Sequence, residues 1–295
     1  MKNNTRNKAS KNTIRIVLAV IAAAIFVVLC KLETVFNPAF DPSQDFIKFI
    51  DVGQGDSILI YSNGYSALID TGLADAGNDI CSVLDECGIK KLNVLMLTHL
   101  DYDHTGGSDR ITEIFEVENL ILPQLSVESE GLIRAELVLN RIVDAGGEVM
   151  QAEQGMNFRI GEFEITVLAA LENMSSENNR SIVTMAEIGD IRFLLAGDIE
   201  SKAEKEILAE GLDINCDVLK VAHHGSNSSS SEAFLKAAKP QYAVISVGAD
   251  NQYGHPHNEV LSTFEYFNAK VLRTDRFGDI TFYVDDGELS YKTER

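Results

Sequence analysis

The sequence predicts an α/β sandwich, with helices outside two central sheets, preceded by a single N-terminal membrane helix. Three observations carry that expectation. Short apolar runs bounded by Gly, Asn and Asp alternate with longer amphipathic stretches through the first half of the chain, the order expected when helices cover a sheet. A second block of closely spaced strand-like runs lies between Phe158 and Ala196 and calls for a second sheet. Residues 16–30 form an unbroken apolar run between Arg15 and Lys31.

Residues 1–15 carry Lys2, Arg6, Lys8, Lys11 and Arg15 and no acid, so the positive-inside rule reads them as a cytoplasmic tail. The apolar run lacks the polar face of a core helix. Residues 16–32 suffice to span a bilayer if Arg15 and Lys31 snorkel to its interfaces. The expectation is an uncleaved signal anchor, single-pass in the cell membrane, then a linker over 33–44 containing Asn37-Pro38 and Asp41-Pro42. Residues 45–295 then form an extracellular domain. The alternative is a cleaved signal peptide and a secreted domain, although no small-x-small site follows the run and Leu29 is bulky for lipid processing at Cys30.

Within the domain, strands are expected over 46–52, 56–61 and 65–71, the last two joined by the hairpin dipeptide Asn63-Gly64. A helix over 78–87, stopped by Gly88, leads to a strand over 94–97. A helix over 109–115, a strand over 120–122 and a helix over 132–145 ended by Gly146-Gly147 complete the first block. The second block reads as strands over 158–160, 163–169, 181–188 and 191–196. Strands over 218–222 and 242–246 and a helix over 258–267 follow.

The chemistry gathers where strands end. Thr98-His99-Leu100-Asp101-Tyr102-Asp103-His104-Thr105-Gly106-Gly107 packs imidazoles and carboxylates into one turn after a buried strand. These side chains suit zinc, manganese or iron, and their density suits one or two adjacent cations. Asp198, in the Gly197-Asp198 turn, is placed to bridge two ions, and His223-His224 ends another strand. Spacing leaves open which of His223 and His224 faces the metal. Asp51, Asp56 and Asp70 end or begin neighbouring strands and are expected at the rim, supporting the ligands. The serines from Ser226 to Ser231 read as a mobile loop able to form part of a substrate lid. Tyr253, His255 and His257, just before a helix, are candidates to hold an anionic group such as phosphate, with Lys220 and Arg273 as charge partners.

Composition limits the choices. A formal net charge of -20 counts against a broad nucleic-acid-gripping surface, which needs Lys and Arg on phosphates. It does not exclude phosphodiester chemistry, because bound cations reverse the local field. Cys30, Cys81, Cys87 and Cys216 form no CxxC pair, so metal binding falls to His, Asp and Glu.

The ordered motifs Asp51–Asp56, Leu68–Gly72, His99–Gly107, Gly197-Asp198, Lys220–Ser226, Tyr253–His257 and Arg273-Thr274-Asp275 together resemble a metallo-β-lactamase-fold hydrolase. More narrowly they resemble the soluble hydrolase domain of the ComEC competence family, from about Phe46 to the last residue. The resemblance implies an αββα sandwich and divalent metal, zinc or manganese, in two sites. His99, Asp101 and Asp198 would form the first site, and Asp103, His104, Asp198 and His223 or His224 the second. The usual turn is His-x-His-x-Asp-His; here Asp101 replaces the second His, as in ComEC-type domains and a phosphorylcholine esterase of cell-wall teichoic acid. A further His usual between the turn and the Gly-Asp is absent, which leaves Asn178, Asn179 or Ser181 to compensate.

The expected function is metal-dependent hydrolysis of a phosphodiester outside the membrane, with Asp103, His224 and Lys220 as candidate catalytic groups and Ser226 among those contacting substrate. DNA is one candidate substrate, implied by the resemblance. A cell-envelope or small-molecule phosphoesterase and a catalytically degenerate metal-binding module are the alternatives. No protein partner can be read from the sequence.

Overall fold

The computed structural model describes residues 40–125, 131–172 and 174–295, so the anchor expected over 16–32, its basic tail and most of the linker lie outside the described residues. Among the described residues no helix is long and apolar enough to cross a membrane.

Strands β1 (Asp45–Phe49), β2 (Ile58–Ser62), β3 (Tyr65–Ile69), β4 (Lys91–Met96), β5 (Glu116–Leu122) and β6 (Glu148–Gln151) build most of one sheet. A second sheet takes β7 (Asn157–Ile160), β8 (Phe163–Ala169), β9 (Val183–Ile188), β10 (Ile191–Leu195), β11 (Val218–Lys220), β12 (Tyr242–Ile245) and β13 (Lys270–Arg273). The chain then returns to the first sheet with β14 (Ile280–Asp285) and β15 (Glu288–Thr293). The first sheet has eight strands in the order β15-β14-β1-β2-β3-β4-β5-β6, and the second seven in the order β13-β12-β11-β10-β9-β8-β7.

Each sheet has an antiparallel part and a parallel part. In the first, β3 to β6 run parallel; in the second, β10 to β13 do. Crossovers between parallel strands require long connections, and here they carry helices such as Gly77–Glu86 and Leu132–Asp144. The carboxyl ends of parallel strands are where open α/β sheets bind ligands, because loops leave there with side chains unconstrained by the ladder. Asp70, His99 and Asp198 all follow such ends.

Period-two alternation sends successive side chains of a strand into different layers of the core. Phe193 and Leu195 of β10 face the space between the sheets, where Phe49, Phe163, Phe193 and Phe282 meet edge-on at ring separations of 6.0–6.3 Å. Leu194 points the other way, into a layer with Ile207, Phe234, Leu235 and Phe264. That layer is covered by the helices Ser201–Ala209, Glu232–Ala238 and Asn258–Tyr266.

The Asn63-Gly64 hairpin forms as expected, both residues at positive φ (51° and 84°), the conformation a tight right-twisted turn demands. The helices Ser201–Ala209 and Glu232–Ala238 and the strands β13, β14 and β15 were not anticipated. Glu232–Ala238 does have a signal, since Ser231 Oγ accepts the Phe234 N–H as an N-cap, but it is hidden at the end of a serine run.

That run is not the loose lid expected of it. Buried Glu204 accepts the N–H groups of Ser230 and Ser231 at 2.5 and 3.0 Å, Ser229 Oγ donates to the Ile199 carbonyl, and the Ser201 N–H and hydroxyl both donate to the Ser228 carbonyl. A carboxylate fastening two consecutive amides holds the segment in one conformation.

Candidate metal centre

The turn after β4 is clamped from β3. Asp70, at the end of β3 with φ 60°, accepts the Thr98 N–H and the Thr98 hydroxyl at 2.7 Å each, and the His104 Nδ1–H at 2.8 Å. Thr71 adds two donors, its N–H and its hydroxyl, to the His104 carbonyl. Asp70 thereby orients His104 and leaves its Nε2 pointing away from the sheet. The Thr98 hydroxyl proton is committed to Asp70, so His99 donates from Nδ1 to Thr98 Oγ1 at 3.1 Å, and its Nε2 is likewise left bare.

Gly55 lets the neighbouring loop close on this turn. At φ +126° its missing side chain would lie 2.2 Å from the Asp103 carbonyl oxygen, to which the next amide, Asp56 N–H, donates.

From the second sheet, Asp198 leaves β10 through Gly197, and Ser181 Oγ accepts its N–H at 3.0 Å. His223 and His224 follow β11, both in the left-handed region at φ 51° and 54°. Two consecutive non-glycine residues there cost about 1–3 kcal/mol each, and such strain concentrates at functional sites. The twist separates the two rings. His224, fully buried, donates from Nδ1 to the Ser246 carbonyl at 2.9 Å and turns Nε2 to within 3.3 Å of both Asp103 Oδ2 and Asp198 Oδ2. His223 turns outward to Asn178, Ser228 and, at 3.8 Å, Glu200.

The ligand atoms of His99, His104 and Asp198 lie within 4.8 Å of one another, as do those of Asp103, His104 and His224. His99 Nε2, His104 Nε2, His224 Nε2 and Asp198 Oδ1 are buried and, among the described residues, have no hydrogen-bond partner. Orphaned buried polar atoms are costly, and their convergence on one point from two sheets is what a divalent cation would satisfy. The donor set fits the expected metal.

The electrostatics agree. Burial alone would raise Asp103, but the His224 imidazole 3.3 Å away and the charge of His104 outweigh it and hold the carboxyl at about 2. Burial alone would lower His224, but Asp198 and Asp103 lift it to about 10; Asp198 and Asp70 likewise lift His104 despite its burial. Burial, reinforced by His104, keeps His99 well below the usual range. Burial, with Asp103 beside it, pushes Asp101 up to about 6. A cation bound among these atoms would displace whatever protons they hold.

Several expected site residues lie elsewhere. Asp51 does not reach the ligands; it pairs with Arg295 in a separate cleft and accepts the Gly53 N–H. Lys220 is fully buried, with Nζ 2.6 Å from Asp56 Oδ2 and donating to the Val221 carbonyl, so it stands behind the site rather than facing substrate. Arg273 is closed in a two-point pair on Asp275. Asp56 does stand behind His224, its Oδ1 3.5 Å from Nδ1. Asp101 is about half exposed, its Oδ2 3.7 Å from His99 Nε2, at the open edge of the cluster. Ser181 does not replace the absent His as a ligand; its hydroxyl lies 3.3 Å from His99 Nδ1, the ring nitrogen turned away from the cluster. Asn179 is spent on the Glu200 and Ala203 amides.

Beside the cluster, Ser226 Oγ contacts Ser228 Oγ, and the His255 ring lies 5.5 Å from His223 and 5.1 Å from His257. Burial and the neighbouring imidazoles His223, His224 and His257 bring His255 down to about 4, so it is neutral near pH 7. The Ser246 carbonyl carries no sequence signal, because backbone acceptors are common to every residue.

The two histidines are expected to behave differently. His224→Ala should abolish tight metal binding, whereas His223→Ala should retain it within about tenfold; equilibrium dialysis with manganese or zinc checks both. Equal loss in the two variants would overturn the orientation seen here.

Residues 50–249 match the sequence profile of the Metallo-beta-lactamase superfamily. The chain is 32% identical over 260 residues to ComE operon protein 3 of Bacillus subtilis, covering 81% of this chain and 33% of that protein. It is 32% identical over 270 residues to Recombination protein 2 of Haemophilus influenzae, covering 89% and 32%. The chain thus spans about a third of the length of these relatives. Among solved structures it is similar to Igni18, a metallo hydrolase from Ignicoccus hospitalis, with a TM-score of 0.51 at 15% identity, covering 81% of this chain and 100% of that one.

Proposed function

The chain belongs to the metallo-beta-lactamase superfamily, and from that footing we propose that it is a metal-dependent phosphodiesterase of nuclease type acting outside the membrane. The observation that carries the reading is the convergence of His99, His104, His224, Asp103 and Asp198 with their buried donor atoms turned toward one another. Bound divalent ions would supply Lewis acidity toward a phosphoryl oxygen and bring the pKa of a water near neutrality.

The chain's own groups divide the remaining work. Asp198, whose Oδ2 lies 3.3 Å from both His104 Nε2 and His224 Nε2, would be among the residues that hold the metal. Asp103 is the more open carboxylate of the pair and can take a proton from an attacking water. Asp101, where many relatives of the fold have His, makes the first ligand set richer in oxygen, which suits manganese and phosphate more than amide cleavage. Ser226, His255 and His257 border the cluster as polar groups for the non-reacting oxygens of a substrate.

The similarity to Recombination protein 2 and ComE operon protein 3 over this same domain supports nucleic acid as the substrate. The apolar segment 16–32, with its basic N-terminal flank, supports a single-pass anchor that holds the domain on the outer side.

The test is hydrolysis of bis-p-nitrophenyl phosphate by the detergent-solubilised full chain with manganese or zinc, with bound metal quantified in parallel. Metal-dependent turnover is expected. No turnover with metal bound would remove the phosphodiesterase reading, and failure to bind any divalent ion would favour a degenerate module.

A further inference from the structure

Tyr253 is out of keeping with its surroundings. The residue is 55% exposed, yet the loop carrying it is held firmly. The side chain of Asn251 accepts the N–H groups of Tyr253 and His255 at Oδ1 and donates from Nδ2 to the carbonyls of Gly248 and His255. One amide therefore fastens both ends of the turn. Beyond its contact with His255 the side chain keeps open surface on a fixed loop, where another flat group can stack without ordering the chain first.

The ring is also aligned. Tyr253 stacks on His255 with centroids 5.7 Å apart and planes 25° apart, and His255 in turn stacks toward His224 at 6.4 Å and 29°. These three near-parallel rings form a row that runs from solvent to the ligand turn. The charged groups expected to grip phosphate are otherwise engaged, Lys220 on Asp56 and Arg273 on Asp275. In a chain of formal net charge -20, affinity for a polyanion cannot rest on broad charge neutralisation. Stacking on an aromatic face needs no such charge and accepts any base.

We infer that Tyr253 is a stacking platform that seats an unpaired nucleobase beside the scissile phosphate, making it a specificity residue for single-stranded, base-bearing phosphodiesters. This rests on the phosphodiesterase reading above and deepens it. In a duplex the base faces are covered by their neighbours, so a paired strand must fray before it can use the platform.

The experiment compares oligothymidylate with an abasic phosphodiester strand of the same length, using the manganese-loaded full chain and its Tyr253→Ala and Tyr253→Phe variants. Cleavage kinetics and fluorescence-anisotropy binding are both recorded. The wild type is expected to favour oligothymidylate. Tyr253→Ala should raise KM on it about tenfold with little change in kcat, leave the abasic strand unaffected and be rescued by Tyr253→Phe. Equal effects on both strands, or none on either, would overturn the platform while leaving the hydrolase standing. Wild-type chain that binds oligothymidylate more tightly than the abasic strand but cleaves neither would sustain the platform and remove the proposed activity.

Discussion

Replacing Asp198 with alanine is expected to lower turnover by at least a hundred- to a thousandfold, the order seen when one preorganised charge-stabilising group is removed. The physical reason is position. Among the described residues its carboxylate is the acid that lies 3.3 Å from both His104 Nε2 and His224 Nε2, so the first ligand triplet loses its anion and the second loses the charge beside its His104 and His224. The same substitution should leave the fold intact. Asp198 holds its neighbours through its backbone, whose N–H donates to Ser181 Oγ, and its Oδ1 has no hydrogen-bond partner to lose. Burial opposes charge at Asp198, but His224 and His104 keep it ionised well below the usual range; without it the imidazoles can shed their protons rather than remain unpaired cations. Metal content and melting temperature settle the point: an Asp198→Ala chain with full activity, or one that no longer folds, contradicts the assignment.

Lys220→Ala is expected to produce the largest loss of stability. The substitution strands the Asp56 carboxylate, which is 1% exposed and otherwise only 3.5 Å from a nitrogen already bonded to Ser246. Breaking a buried pair from one side costs about 3–5 kcal/mol. For a domain of this size that corresponds to a fall in Tm on the order of ten degrees. Lys220→Met combined with Asp56→Asn should recover most of the loss, because the stranded charge rather than the missing contact is what destabilises. If Lys220 instead touched substrate, Lys220→Ala would raise KM at an unchanged melting temperature. That result would restore the catalytic role expected from sequence and remove the structural one.

The elements legible in the sequence were those whose cause is local. Asn63-Gly64 demands positive φ whatever surrounds it, and the helix over 132–145 ends at its glycines within one residue of the observed Leu132–Asp144. The helix Ser201–Ala209 was less visible, because only Ala203, Glu204 and Ile207 face inward and the rest reads as a solvated charge run. β14 and β15 were missed for a different reason. They complete the first sheet by pairing β14 with β1, a partner more than two hundred residues away by number, as Phe49↔Ile280 shows.

The site divides along the same line. The sequence alone determined the ligand types and their order, because each motif follows an apolar strand and a strand end is a local property. It also set the chain's acidity, and with it the weight against a broad phosphate-gripping surface. Only the tertiary structure decided which way the side chains point. His224 rather than His223 enters the cluster because the Ser246 carbonyl and a left-handed backbone turn it inward. Lys220 is drawn behind the site because Asp56, from the other sheet, waits there. Adjacent residues can be told apart only by what the distant chain places opposite them, and that depends on how two sheets with separate registers meet.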